Sequence, residues 1–338
     1  MNTPEIKQRP VVAVTMGDAA GIGPEVVLKA IADMDDAGGR FLIIGDLECL
    51  SRTAAGLSLP IELNRYGGPD DIEDETVAVY DLDNLPESFE TGVDAGLTGR
   101  ASAEYIEAAV ELWRRGEIDA VATAPISKRA IALGGYNYPG HTEMLAELTG
   151  TQRFAMSFFG GDLRVVLLST HLSLISAIDL VTKKRLVDLI EFSAAQFERL
   201  LGRTVSIAVA GLNPHASEGG LFGNEEKDQI EPAVKQCRDG GIDVSGPYSP
   251  DTIFLRAFRG EFDAVVALYH DQATIPVKSL SFGSAVNVTL GLPLIRTSVD
   301  HGTAFDIAGK GIADPSSMKS AIELAAELVN SSREPKLI

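Results

Sequence analysis

Cysteine is scarce. Cys49 and Cys237 are the two in 338 residues, far apart and in no CxxC or comparable ligand spacing. That excludes a disulfide miniprotein and fits two reduced thiols in a cytosolic protein. Basic residues are also few: 29 Lys and Arg against 48 Asp and Glu leave a net charge of −19. Such a chain is repelled by nucleic acid and by anionic membrane surfaces. No apolar run reaches the roughly 18 residues of a membrane span. The opening MNTPEIKQRP lacks the apolar core of a secretion signal, so a cytoplasmic location is expected. Internal repeats and low-complexity tracts are absent too. What remains is an ordinary globular balance, 45% hydrophobic and 23% charged, in a chain long enough for about two domains.

Short apolar runs alternate with longer amphipathic ones. Strands are expected at Val11–Met16, Phe41–Gly45, Thr76–Tyr80, Ala120–Ala124, Phe154–Phe159, Arg164–Ser169, Ser206–Ala210, Ala264–Tyr269, Val286–Leu290 and Leu294–Ser298. Several are nearly continuous in Val, Ile, Leu and Ala, as in strands buried on both faces of a parallel sheet. Helices are expected at Pro24–Met34, Ala101–Arg115, Lys183–Leu201, Glu225–Arg238 and Ser316–Val329. The alternation predicts an α/β fold built on βαβ crossovers. Pro69–Asp94 stands apart, with ten Asp and Glu and no Lys or Arg. It reads as a solvated loop or edge, with an acidic partner-binding patch as the alternative.

Five histidines carry the chemical signal: His141, His171, His215, His270 and His301. Three close strand-like runs, in RVVLLSTH, SIAVAGLNPH and AVVALYH. Parallel strands would bring His171, His215 and His270 to one carboxyl edge, where open α/β sheets build their sites. Three neutral imidazoles with an open position make a catalytic metal arrangement, zinc by default, with cobalt, manganese or magnesium as alternatives. The competing reading is three polar strand ends. GDAAGIGPE, from Gly17 to Glu25, either cradles a phosphate or is a tight strand-to-helix turn. It lacks the dinucleotide GxGxxG register, and Asp46 is the one acidic residue that could serve a ribose there. His141 and Thr142 open an amphipathic stretch and either bind an oxyanion or, through Thr142, cap a helix. His270–Lys310 balances three basic and three acidic side chains, and Lys278 and Arg296 in it are natural partners of carboxylate and phosphate.

The motifs GDAAGIGPE, YPGHTE, STHLSL, GLNPHASEGGLFG, YHDQATIPVK, VNVTLGLP and IRTSVDHGTAFDIAGKG resemble the 4-hydroxythreonine-4-phosphate dehydrogenase (PdxA) family of vitamin B6 synthesis, in order from about Val11 to Glu327. The resemblance implies an isocitrate/isopropylmalate-dehydrogenase-like fold with two α/β/α lobes around a central cleft. The first lobe is expected at 1–132 with about 285–338, and the second, carrying the metal ligands and dimer interface, at about 133–284. The family can also be classed as one domain. A homodimer with a shared active site is implied, with His171, His215 and His270 as metal ligands. Substrate contacts carry over to His141, Thr142, Lys278, Asn287 and Arg296.

The implied cofactors are NAD, with NADP as the alternative, and one divalent metal: zinc, or else magnesium, manganese or cobalt. No residue is assigned to the nicotinamide cofactor. The implied reaction oxidises a secondary alcohol by hydride transfer and then releases CO2. Lys278 or Asp251 is the expected acid–base group. The main substrate reading is 4-hydroxythreonine-4-phosphate, on the route to pyridoxal phosphate. NYPGHTE, TAPISK and GLFGNEE look closer to the branch acting on 4-phospho-D-threonate or 4-phospho-D-erythronate, which yields dihydroxyacetone phosphate and CO2. An aromatic cis-dihydrodiol dehydrogenase, a metal-assisted hydrolase and a non-catalytic phosphometabolite-binding protein stand further off.

Overall fold

In a computed structural model, the structure describes residues 9–34, 39–72, 76–281 and 283–333. Its elements in chain order begin with β1 (Val11–Thr15), α1 (Gly23–Ala32), β2 (Arg40–Gly45), α2 (Leu47–Leu57), β3 (Leu63–Arg65), β4 (Val77–Asp81), α3 (Gly96–Arg114), β5 (Ala120–Thr123), α4 (Lys128–Leu133) and α5 (His141–Thr149). Next come β6 (Ala155–Gly160), β7 (Leu163–Leu167), α6 (Leu174–Asp179), α7 (Lys183–Leu201), β8 (Ile207–Ala210), α8 (Glu231–Asp239), β9 (Val244–Tyr248), α9 (Ile253–Phe258), β10 (Ala264–Ala267), α10 (His270–Leu280) and β11 (Val286–Leu290). The chain closes with β12 (Ile295–Ser298) and α11 (Ser316–Ser332). The expected α/β class holds. Among the described residues, no helix is long and apolar enough to cross a membrane.

The chain divides into two compact units: the residues up to Gln152 together with Leu292–Asn330, and Arg153–Gly291 together with the residues from Ser331 on. The first unit orders its strands β3-β4-β2-β1-β5-β12, all parallel. Val12, Ala13, Val14, Leu42, Ile43, Ile44 and Val121 are fully buried, which explains the unbroken apolar runs. Within the acidic segment the strand expected at Thr76–Tyr80 forms as β4, inside the sheet with Ala78 and Val79 buried. Its charges sit at the strand's end, where Asp81 pairs with Arg65 and accepts the Leu47 N–H at 3.0 Å. Glu73, Asp74 and Glu75 of that segment lie outside the described residues.

The second unit orders its strands β11-β6-β7-β10-β8-β9. β6 runs antiparallel to both its neighbours, β11 and β7, while β7, β10, β8 and β9 are parallel. β6 and β7 follow each other too closely for a crossover helix, so they form a hairpin. Helices α9 and α10 cover one face through Ile253, Phe254, Ala257, Ala273 and Val277, packed on Val165, Leu167, Ala208 and Val265. Helix α7 has the limits expected from its spacing, burying Leu186, Ile190, Ala194 and Phe197 along one stripe.

Three departures have local causes. The helix expected at Glu225–Arg238 opens with a π-helical turn, Glu226–Ile230, before α8, which has Pro232 in its first turn. That wide turn accompanies an inward Glu226, which accepts hydrogen bonds from Leu212 N (2.8 Å) and Asn213 N (2.7 Å). α10, not anticipated as a helix, carries Pro276 in its interior, the residue that disguises it in sequence. β3 is three residues long, and β9 is an edge strand containing Pro247, so neither has a strand-like pattern.

Candidate active site

In the first unit, the turn after β1 packs the glycine-rich motif tightly against its neighbours. Gly17 has φ +74°, and a Cβ there would stand 2.5 Å from Pro125 O. A Cβ on Gly23 would stand 2.3 Å from Met16 O. These glycines therefore serve close backbone packing. Asp46 is also occupied structurally: its carboxylate caps α2 by accepting the Cys49 N–H at 2.8 Å, and it accepts the Leu85 N–H at 3.2 Å. Both cysteines are buried and free, and burial pushes their thiols up to about 11, away from nucleophilic use.

Arg296 and His141 come together at the end of β5. Arg296, on β12, is 3% exposed. Its Nε and Nη2 donate to Thr123 Oγ1 at 3.2 and 2.8 Å. Burial lowers the guanidinium pKa to about 9, with Glu143 opposing the fall, so the group remains a cation at neutral pH. His141 is the first residue of α5. Its ring donates to the Ala124 carbonyl, and its Nε2 is shielded from solvent without a hydrogen-bond partner. Burial first, and then the Arg296 guanidinium, push this imidazole well below its ordinary pKa. The α5 N-cap is Gly140 and no side chain caps the helix, so Thr142 is not the cap. The end of β5 thus sets a buried guanidinium beside a buried imidazole.

Further along this unit, Glu25 and Lys29 of α1 grip the end of HGTAFDIAGKG. Glu25 is buried and accepts the N–H groups of Gly311 (3.2 Å) and Ala313 (2.8 Å). Lys29 Nζ donates to Glu25 (2.7 Å) and to the Gly311 and Ala313 carbonyls (2.9 Å each). The gripped segment borders a cavity of about 510 Å³ also lined by Arg52, Phe89 and Lys310. His301 turns Nδ1 to its neighbour, 3.1 Å from Gly302 O.

In the second unit, His171, His215 and His270 follow β7, β8 and β10. These strands are adjacent and parallel in the order β7-β10-β8, so the three residues leave the same sheet edge. The His171 and His270 rings face each other, with centroids 5.7 Å apart. His270 Nδ1 lies 2.7 Å from Asp271 Oδ1. Among the described residues, no three His, Cys, Asp or Glu side chains of one chain converge as a metal set. The structure thus brings two of the three together.

His215 sits in a run of left-handed residues, His215, Ala216, Ser217 and Glu218, with φ of 52°, 52°, 71° and 47°. Left-handed conformation costs a non-glycine residue on the order of 1 kcal/mol. The run is held by Ser217 Oγ donating to Gly223 O (2.6 Å) and by Asn213 Nδ2 bonding Glu225 and Glu226 (2.8 Å each).

Lys278 lies in the last turn of α10, and Asn287 is half-buried on β11. Asp251 is exposed, bonded by Ser249 Oγ, and lines a groove of about 520 Å³ with Tyr269, Asp271 and Gln272. Two residues the sequence reading passed over organise this edge. Gln272 accepts the Leu268 N–H and donates to Gly211 O, both at 2.7 Å, joining the His270 turn to the loop before His215. Glu226 anchors that same loop. Their motifs, YHDQ and GNEE, were visible, but a side chain's hold on backbone groups has no sequence spacing.

The family model of the pyridoxal phosphate biosynthetic protein PdxA matches residues 38–325. The chain is 46% identical over 323 residues to a D-threonate 4-phosphate dehydrogenase of Cupriavidus necator, covering 94% of this chain and 97% of that protein. It is 44% identical over 324 residues to a 4-hydroxythreonine-4-phosphate dehydrogenase of Geobacter metallireducens, covering 95% and 96%. The crystal structure of a 4-hydroxythreonine-4-phosphate dehydrogenase from Klebsiella pneumoniae matches with a TM-score of 0.87 at 42% identity, covering 95% of this chain and 99% of that one.

Proposed function

Since this chain belongs to the PdxA family, we propose that it is a metal- and NAD-dependent dehydrogenase that oxidises and decarboxylates a 4-phosphorylated 3-hydroxy acid of the 4-hydroxythreonine-4-phosphate type. The family membership carries the reading, and the buried Arg296 guanidinium beside the His141 imidazole is consistent with an anionic substrate. A second reading, D-threonate 4-phosphate as substrate, is favoured by the 46% identity to the enzyme so named.

The residues fit a metal. An imidazole donor set suits zinc, and the Asp271 carboxylate on His270 Nδ1 fixes the tautomer whose Nε2 can ligate. In this reading His171 and His270, with His215, hold the ion. A bound nicotinamide cofactor supplies the hydride acceptor, and a bound divalent cation supplies Lewis acidity at the reacting alcohol.

The chain's own groups do the rest. Arg296, His141 and Thr142 hold one anionic end of the substrate, and Lys278 and Asn287 orient the remainder. Lys278 or Asp251 moves the proton of the alcohol and later returns one to the product carbon. A homodimer belongs to this reading, and the acidic chain is read as cytoplasmic. A panel of hydroxythreonine phosphate, phospho-D-threonate, phospho-D-erythronate and an aromatic dihydrodiol, each with zinc, magnesium, manganese or cobalt, tests this. NADH formed from a phosphorylated member supports the reading. NAD reduction by none of them refutes it.

A further inference from the structure

We propose that the end of β5 is the positioning element of the anion-binding side chains. In this role Thr123 sets the plane of the Arg296 guanidinium and is a determinant of affinity for the phosphorylated substrate. Thr123 is fully buried, and its hydroxyl is fully used. It accepts from Arg296 Nε and Nη2 at 3.2 and 2.8 Å and donates to Thr297 O at 3.3 Å. One hydroxyl offers one donor and two acceptor sites, so this set saturates it.

The register makes the contact. On the parallel neighbours β5 and β12, Val121 pairs with Arg296 and Thr123 with Ser298. Side chains two residues apart share a face, so Thr123 lies on the Arg296 face of the sheet. The next residue, Ala124, holds the His141 ring through its carbonyl. Adjacent residues of one strand end thus orient both the cation and the imidazole.

The chemistry of the anchor matters. A carboxylate against the Nε–Nη2 edge would cancel the guanidinium charge, whereas a neutral hydroxyl fixes the plane of that edge and adds no negative charge. Without the hydroxyl, the Nε and Nη2 N–H groups lose this contact, and the plane of the guanidinium is set less firmly. Val keeps the shape of Thr and removes this function, while Ser keeps the function and removes a methyl group.

This inference rests on the proposed function for its substrate, so the test has a catalytic arm and an anion arm. Full-length wild type, Thr123→Val and Thr123→Ser are compared for KM and kcat with hydroxythreonine phosphate and phospho-D-threonate. Thr123→Val is expected to raise KM roughly tenfold or more, with a smaller fall in kcat, and Thr123→Ser to stay within about threefold of wild type. A Thr123→Val KM within about twofold of wild type, or equal impairment of the Val and Ser variants, overturns the inference. If Thr123→Val does not fold, Thr123→Ala against Thr123→Ser decides, and equal KM values overturn it.

If wild type reduces NAD with no substrate, the functional reading fails by itself and the anion arm remains. There, inorganic phosphate is expected to raise the melting temperature of wild type and of Thr123→Ser but not of Thr123→Val. The same shift in all three, or none in wild type, overturns the positioning role.

Discussion

Gln272 Nε2 donates to Gly211 O at 2.7 Å, tying the first turn of α10 to the end of β8. With the Leu268 N–H accepted at its Oε1, this one buried amide bridges two of the three histidine-bearing turns. Replacing Gln272 by Leu leaves a buried N–H and a buried carbonyl unpaired. The expected cost is about 2 kcal/mol or more of unfolding free energy, measured by urea denaturation. Zinc affinity is expected to fall along with it, and unchanged affinity by metal-buffer titration would show that the bridge does not serve the histidines.

Asp271 is the orienting partner of His270. Asp271→Asn keeps the size and removes the charge that favours Nδ1–H. Divalent-metal affinity is expected to drop about tenfold or more, read by competition with a chromophoric chelator. His270→Ala should lose more. Equal affinity of Asp271→Asn and wild type would place the carboxylate outside the metal's surroundings.

Glu25 and Lys29 clamp Gly311 and Ala313 from α1. Lys29→Met removes three hydrogen bonds and leaves the buried Glu25 carboxylate, still held by two backbone N–H groups, without its countercharge, so a loss of about 3 kcal/mol or more is expected. The double variant Lys29→Met, Glu25→Gln should recover part of that loss, because it no longer strands a charge. Thermal unfolding of the two variants checks the order, and a double variant less stable than the single one contradicts the clamp.

His141 makes the fold sensitive to acid. Its imidazole is held well below the ordinary value of 6.5 in the folded chain, through burial and the Arg296 charge. The unfolded chain therefore binds the proton first as pH falls, so this group's share of the stability is present above about 6.5 and is lost progressively below it. His141→Gln should flatten that part of the profile. Unfolding free energies between pH 7.5 and 5.5 test it, and an identical slope in both proteins would remove His141 as its cause.

The α/β class was legible because strand burial is written in composition. VVAVT and FLIIG can only be two-faced strands when Val12, Val14, Ile43 and Ile44 have no exposed surface. α7 was legible to its end residues because one stripe of eight buried side chains repeats at helical spacing. Elements whose stability comes from partners left little trace. β3 and β9 are short edges, and α10 hides behind Pro276. Within the acidic stretch the strand expected at Thr76–Tyr80 was legible as an uncharged TVAVY run, and the burial of Ala78 and Val79 places it inside the sheet.

By itself, the sequence determined which residues could do chemistry: three histidines after strand-like runs, a Gly-His-Thr helix start, and basic side chains in apolar surroundings. Residue type and local spacing suffice for that, since they depend on neighbours along the chain. Only the tertiary structure decided the partners. It placed β10 between β7 and β8, so that His171 and His270 face each other. It set β12 beside β5, so that Arg296 meets Thr123 across a separation of 173 residues. It also recruited Gln272, Glu226 and Glu25 to hold backbone groups. Such contacts follow from strand order and register, which are selected by the packing of the whole sheet and have no period in the sequence.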